Sequence, residues 1–334
     1  MPDDQPAAQP ATPDPVPGGR SRRPGWRSVL KWLAVVVVVG FIVAYVVQEW
    51  TGFVAGLRRL DALSIAGAVL AILAGLVCAM QSWRATLAGL GSPLPFLAGA
   101  RVFFLGQLGK YVPGSVWPIL AQAELSSEYD VPRARTGLAS LTQMLIGLVT
   151  GVCVAGGTLA VSSPEAFESY WWLLLVAVAG VVVLVPPVFN RLVALALRLT
   201  RRQPAGTVSP RAVIVAALWC LGMWATFGLH LWLLARALGA TGSGLFWLST
   251  GAYALAWVVG FVIVLLPAGA GAREAALVLA LAPVLDRESA LVLAVVSRIL
   301  MLVGDGLCAA AAIVAEKARR RRSAVRAAGS TGSP

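Results

Sequence analysis

Leu266-Pro267-Ala268-Gly269-Ala270-Gly271-Ala272-Arg273-Glu274 places an adjacent cation and carboxylate directly after a helix-breaking turn, with apolar sequence on both sides. An Arg at the start of a half-helix, beside backbone N–H groups freed by the break, can bind an anion such as a phosphate. Glu274 could balance that charge, or meet a cationic headgroup or a proton. The competing reading is structural: the two residues cap the break or staple it to neighbouring helices, although adjacent residues cannot share one helix face. Four further ionisable residues sit in apolar surroundings: Arg298, Asp305, Lys110 and Arg101. Arg298 and Asp305 are seven residues apart, two turns along one helix face, where lipid exposure would be costly. They are read as facing a shared cavity or pairing through a third group. Asp305 is also a candidate charge or proton partner, although a structural role near the cytoplasmic end suits it better. Lys110 lies within a second break segment, Gly106-Gln107-Leu108-Gly109-Lys110-Tyr111-Val112-Pro113-Gly114, and Arg101 precedes it; both are candidate headgroup contacts, and Arg101 could instead snorkel to the interface. Glu124 follows the same break and either serves its second limb or lies at the cytoplasmic surface.

The elements that must position these residues are membrane-spanning helices. The chain is 58% hydrophobic and 13% charged, against roughly 45–50% and about 25% for an average soluble domain. Its mean hydropathy is +0.80. Apolar runs long enough for a crossing, which takes about 20 residues, fall at 29–48, 64–88, 136–161, 171–190, 211–235 and 289–315. Two equally apolar stretches, 98–127 and 245–285, are interrupted at Pro113-Gly114 and at Pro267-Ala268-Gly269-Ala270-Gly271. Residues 1–28 form a Pro- and Arg-rich tail expected to be disordered and cytoplasmic, and residues 316–334 a basic cytoplasmic tail. The acidic start of the first tail, and Gln48-Glu49-Trp50 without a small-residue cleavage site, favour a retained anchor over a secretory signal.

Five Lys or Arg lie in the N-terminal arm through Lys31, five between 190 and 211, and six in the C-terminal tail. The positive-inside rule puts all three on the cytoplasmic side. Threading the spans between them leaves 98–127 beginning and ending inside and 245–285 beginning and ending outside. Both become hairpins, one entering from each face, and six to ten crossings cover the options of re-entrant or complete passage. Pro113 and Pro267 are 154 residues apart (267 minus 113), and the same offset maps Arg133 onto Arg287 and Gly151 onto Asp305. Within the polytopic domain, 29–315, this predicts repeat units at about 29–161 and 171–315, the second inverted. Inverted repeats with discontinuous helices characterise transporters, whose sites lie at the breaks. The fold class expected is thus an all-α polytopic membrane protein with two inverted repeats, each carrying a broken, re-entrant hairpin.

The two broken segments, Gly106 to Gly114 and Leu266 to Glu274, together resemble the signature segments of the lysylphosphatidylglycerol synthase transmembrane family. The resemblance extends over most of residues 29–315, and the second segment is the more specific. In the family that segment often reads Pro-Gly-Gly-x-Gly-x-Arg-Glu; here Ala268 replaces a Gly and Ala270 takes the variable place. Members include the flippase half of the bacterial multiple peptide resistance factor and many stand-alone flippase-like proteins. The resemblance implies lipid translocation across a bacterial-type cytoplasmic membrane, and a chain without a synthase domain is not expected to make the lipid itself. A membrane lipid with an anionic, aminoacylated or lipid-linked headgroup is the expected partner; a homo-oligomer or a separate lipid-synthesising enzyme is compatible. Two other classes stay open: an intramembrane lipid-modifying enzyme and a non-catalytic accessory subunit of a glycolipid pathway.

Other signals narrow the field. Gly106-Gln107-Leu108-Gly109-Lys110 lacks the spacing and following Ser/Thr of a Walker loop, so no nucleotide is expected. The single histidine, His230, cannot form a metal site alone and reads as a hydrogen-bonded packing residue. Cys78, Cys153, Cys220 and Cys308 lie in apolar spans without paired spacing and suggest neither disulfides nor zinc. No cofactor is expected. The predicted pI of 10.6 reflects basic loops and tails suited to anionic lipid, worth about 1 kcal/mol per residue near the surface, and not a nucleic-acid surface. Trp26, Trp32, Trp50, Trp171 and Trp172 lie at span ends as interfacial anchors.

Overall fold

A computed structural model describes residues 50–111, 116–160, 168, 171–199, 208–262 and 271–330. The span expected at 29–48, the break residues Pro113, Gly114, Pro267 and Gly269, and Arg201 and Arg202 lie outside the described residues. Among those described, the regular structure is helical throughout: α1 (Trp50–Arg59), α2 (Ala62–Gly89), α3 (Phe96–Gln107), a 3-10 turn (Leu108–Tyr111), α4 (Trp117–Ser127), α5 (Arg133–Ala160), α6 (Trp172–Leu184), α7 (Pro186–Leu199), α8 (Pro210–Ala237), α9 (Leu245–Val262), α10 (Ala272–Leu281) and α11 (Arg287–Ser330). Five of these, α2, α5, α8, α9 and α11, contain stretches long and apolar enough to cross a membrane. The chain is a multi-pass membrane protein.

Helix starts follow local chemistry. Asp61 caps α2 by accepting from Ser64 N at 2.7 Å and Ser64 Oγ at 2.9 Å. Asp286 does the same for α11 through Ser289 N and Oγ, both at 2.8 Å. The Ser289 backbone N–H, first among these contacts, holds the Asp286 carboxyl below its ordinary value of 3.8. Ser209 caps α8 with Pro210 in the first turn, where the missing N–H costs nothing.

The run expected to cross at 171–190 differs. It breaks at Val185 between α6 and α7, because Pro186 and Pro187 supply no N–H to the preceding turn and their rings clash with it. The 13 residues of α6 rise only about 20 Å, short of a hydrocarbon core of about 30 Å. The hairpin limbs α3 and α4, of 12 and 11 residues, are also short, at about 18 and 16 Å. At the C-terminus the helix does not stop at 315; α11 continues through the basic tail to Ser330.

The order of long helix, two hairpin limbs and long helix occurs twice, as α2 to α5 and as α8 to α11. The first members, α2 and α8, are each 28 residues long and pack along one another. Small residues set their separation: a Cβ on Gly75 would stand 2.4 Å from the Phe227 ring, and one on Gly89 2.3 Å from Ala212 Cβ. The two quartets are also interleaved, with α3 packing on α11 and α9 on α5. Trp83, Trp224, Tyr253 and Phe103 are the largest side chains buried in the shared core.

Candidate functional site

The first hairpin delivers its polar residues through close backbone approach. A Cβ on Gly106 would lie 2.3 Å from Gln122 Cγ, and one on Gly109 2.9 Å from the Trp117–Pro118 backbone, so glycine lets the 3-10 turn fold onto the start of α4. Gln122 Oε1 accepts from Ser140 Oγ at 2.6 Å and Trp83 Nε1 donates to Ser140 Oγ at 3.0 Å, tying the second limb to α5 and α2. At the tip, Lys110 Nζ lies 2.6 Å from Asp305 Oδ2 on α11, and Tyr111 Oη donates to the same oxygen at 2.5 Å.

The second hairpin reaches the same helix. Gly271 holds φ +84°, in the left-handed region where a side chain is strained, and begins α10. Its N–H donates to Glu274 Oε2 at 2.6 Å, half of a capping box in which the first-turn carboxylate satisfies an orphan donor and suits the helix dipole. Glu274 Oε1 faces Arg298 Nε at 3.8 Å, an ion pair too long for a hydrogen bond. The Arg273 guanidinium sits 4.6 Å from the Tyr253 ring centroid on α9, a cation–π geometry. Tyr253 in turn meets His230 edge-on at 4.9 Å, and His230 Nε2 is 2.9 Å from Ser297 Oγ.

Five charged side chains, Lys110, Arg273, Arg298, Glu274 and Asp305, are therefore gathered at two levels of α11. Seven residues separate Arg298 from Asp305, about 10 Å along the axis. The sum is three cations and two carboxylates, and both carboxylates are engaged. Asp305 has 2% of its side chain exposed and Glu274 11%, while Arg298 and Lys110 keep 27% and 30%. Arg273 forms no ion pair with a carboxylate among the described residues; its contact is the Tyr253 ring. Such an arrangement can hold an anion against a cation that lacks a counter-charge, inside a scaffold of paired charges.

The other sequence candidates lie elsewhere. Arg101 makes a bidentate pair with Glu128 at 2.7 and 3.1 Å and stacks over Tyr129, joining the two ends of the first hairpin. Glu124 pairs with Arg133 at 2.8 Å, both largely exposed. A separate notch of about 320 Å³, lined by Trp232, Arg236, Thr241 and Ser243 among others, shares no residue with the charged cluster. Reasoning from sequence did not single out Tyr111, Tyr253, Ser297 or Gln122. Tyr111 could have been found by its place beside Lys110 in the break motif; Tyr253 carried only the faint signal of a phenol in an apolar run.

No curated protein matches the chain. The family model described as "Lysylphosphatidylglycerol synthase TM region" matches residues 31–307, a stretch that holds both hairpins and all five clustered charges. The chain belongs to the lysylphosphatidylglycerol synthase TM region family.

Proposed function

We propose that this membrane protein is a lipid translocase: a phospholipid or lipid-linked headgroup enters the polar centre between the two hairpins while its acyl tails remain in lipid. The observation that carries the reading is the convergence of both hairpins on one helix through charged side chains, Lys110 on Asp305 and Glu274 on Arg298. Ionisable groups at membrane depth mark substrate paths when they face a cavity, and a pair of broken segments in two halves of a chain is where a transporter holds its cargo. A role in membrane lipid chemistry also accords with the family.

Several features support a repeat-based mechanism. The quartets α2 to α5 and α8 to α11 share an element order, the starts Arg133 and Arg287 repeat the 154-residue offset, and each quartet's first hairpin limb packs on the other's last helix. In this reading the second unit is inverted, the hairpins are re-entrant from opposite faces, and both termini are cytoplasmic in a bacterial-type inner membrane. Breaking one hairpin's ion pair at a time would open the centre to one leaflet and then the other. The test is translocation of acyl-labelled lipids by the purified protein in vesicles, with Arg273→Ala and Glu274→Gln as variants. Wild-type activity lost in folded variants supports the site; undiminished transport by both variants removes the hairpin charges from the mechanism.

A further inference from the structure

The notch at the end of α8 holds a cation to which the protein supplies no counter-charge. Trp232 and Arg236 line it from the last two turns of α8, Thr241 and Ser243 from the turn at 238–244, and Leu245 and Phe246 from the start of α9. Its volume of about 320 Å³ lies at the lower end of ligand sites, about 300–1,000 Å³, and suits a polar headgroup better than a whole lipid. The Arg236 guanidinium sits 5.1 Å from the Trp232 ring centroid, a cation–π contact that fixes its place at the notch. Among the described residues Arg236 makes no ion pair and no hydrogen bond.

The ordinary duties of an Arg at a helix end are already discharged or out of reach. A cation in the last turn often bonds the final carbonyls, but here Leu234, Ala235 and Arg236 carbonyls accept from the N–H groups of Leu238, Ala240 and Gly239 at 3.0–3.1 Å. No Asp or Glu occurs between Glu168 and Glu274, so neither α8 nor α9 carries a carboxylate. The antiparallel neighbour α2 brings Asp61 toward this end of α8, as the contact of Gly67 with Leu233 shows, but Asp61 is bonded to Ser64 N and Oγ and forms no ion pair with Arg236. Facing the same notch, the first turn of α9 leaves the Phe246 and Trp247 N–H groups without a backbone acceptor among the described residues, and the exposed Thr241 and Ser243 add two hydroxyls. Every polar group that lines the notch from a side chain is thus a donor or a hydroxyl, and the only charge is positive.

The position of the notch names the source of the anion. α8 and α9 are both long and apolar enough to cross a membrane, so the turn that joins them lies at a membrane face, and Trp247 beside it is 52% exposed, as an interfacial anchor would be. We infer that the notch is a binding site for the phosphate of a membrane phospholipid, held by the Arg236 guanidinium with the Thr241 and Ser243 hydroxyls while the acyl chains lie along the apolar surfaces of α8 and α9. Guanidinium–phosphate pairing supplies the strongest of these contacts. The site shares no residue with the charged cluster between the hairpins, so it stands or falls apart from the translocase reading.

The experiment is native mass spectrometry of the full chain in detergent, titrated with phosphatidylglycerol or with a galactosyl diacylglycerol, which has a polar headgroup but no phosphate. Wild type is expected to retain one phosphatidylglycerol at least about tenfold more tightly than Arg236→Gln, the scale of a lost charge-assisted contact, and more tightly than it retains the galactosyl lipid. Arg236→Lys, which keeps the charge without the planar fork, should fall between. Arg211→Gln, at the opposite end of α8, should bind as wild type does, which separates this site from general attraction to basic residues. Thr241→Ala with Ser243→Ala, both exposed, should weaken the same binding step about threefold and tests the site without touching Arg236. Inorganic phosphate should displace the lipid only at concentrations far above that of the lipid. Equal retention by wild type, Arg236→Gln and the double alanine variant overturns the site; equal retention of the galactosyl lipid overturns the phosphate; displacement by inorganic phosphate at matched concentration overturns the lipid as its source.

Discussion

Asp305→Asn should destabilise the protein mainly by leaving Lys110 without its counter-charge. Removing one partner of a buried ion pair costs about 3–5 kcal/mol. Asp305 keeps 2% and Lys110 30% of its side chain exposed, so the pair is only partly enclosed and the expected cost falls below that range, to about 2 kcal/mol. Tyr111 would exchange a carboxylate acceptor for an amide oxygen, adding about 0.5–1 kcal/mol. The single variant should therefore lose about 2–3 kcal/mol, and Lys110→Met about as much, because it strands the carboxylate. In the double variant neither charge remains, so its loss should fall at least about 1.5 kcal/mol below the sum of the singles. Reversible unfolding by sodium dodecyl sulfate in mixed micelles measures all four proteins. Additive singles, or an Asp305→Asn loss under about 1 kcal/mol, would refute the view that this pair ties the first hairpin to α11.

Four other substitutions probe the scaffold around the site. Ser140→Ala removes the hydroxyl shared by buried Trp83 Nε1 and Gln122 Oε1 and should cost about 2–3 kcal/mol in the same unfolding assay. Gly228→Ala would put a Cβ 2.0 Å from Thr250 Oγ1 and 2.8 Å from the α9 backbone; it should destabilise by about 1–3 kcal/mol, whereas Gly306→Ala, with nothing within 4 Å, should be neutral or slightly stabilising. Asp286→Ala should cost about 1 kcal/mol at neutral pH through loss of the α11 cap. The Asp286 carboxyl is held below its ordinary value in the folded state, so its contribution is present above pH 3.8 and is lost as pH falls through the lower folded-state value. The gap between wild type and Asp286→Ala should be constant from about pH 5 to 8 and close only in acid.

Much of the architecture was legible in the sequence because its signals are local. Uninterrupted apolar runs located α2, α5, α8 and the membrane-spanning part of α11 to within a few residues, and the break motifs contain the C-terminal end of α3 and the start of α10. The division of 171–190 into α6 and α7 was also written there, in Pro186-Pro187, but apolar content outweighed that signal in reading the run as one span. Pairing was not legible. Spacing placed Arg298 and Asp305 on one face, yet only the fold sends Arg298 to the second hairpin and Asp305 to the first. Arg101 and Lys110 share a hairpin and similar surroundings in the sequence; Glu128 and Tyr129 engage the former, and α11 the latter. Tyr253 and Ser297 depend wholly on long-range packing, since each is an ordinary residue until α9, α10 and α11 meet.

The central claim, that a lipid headgroup occupies the meeting point of the two hairpins, is tested most directly by photo-cross-linking. The purified chain in vesicles would be irradiated with phosphatidylglycerol carrying a photoreactive group on its headgroup, and the adducts mapped by mass spectrometry. Adducts are predicted in the 105–111, 249–253, 271–274 and 298–305 segments, suppressed by unlabelled phosphatidylglycerol and weakened in Arg273→Gln. Adducts confined to the lipid-facing surfaces of α6 and α8, or to the basic tail, and unchanged in Arg273→Gln would contradict it.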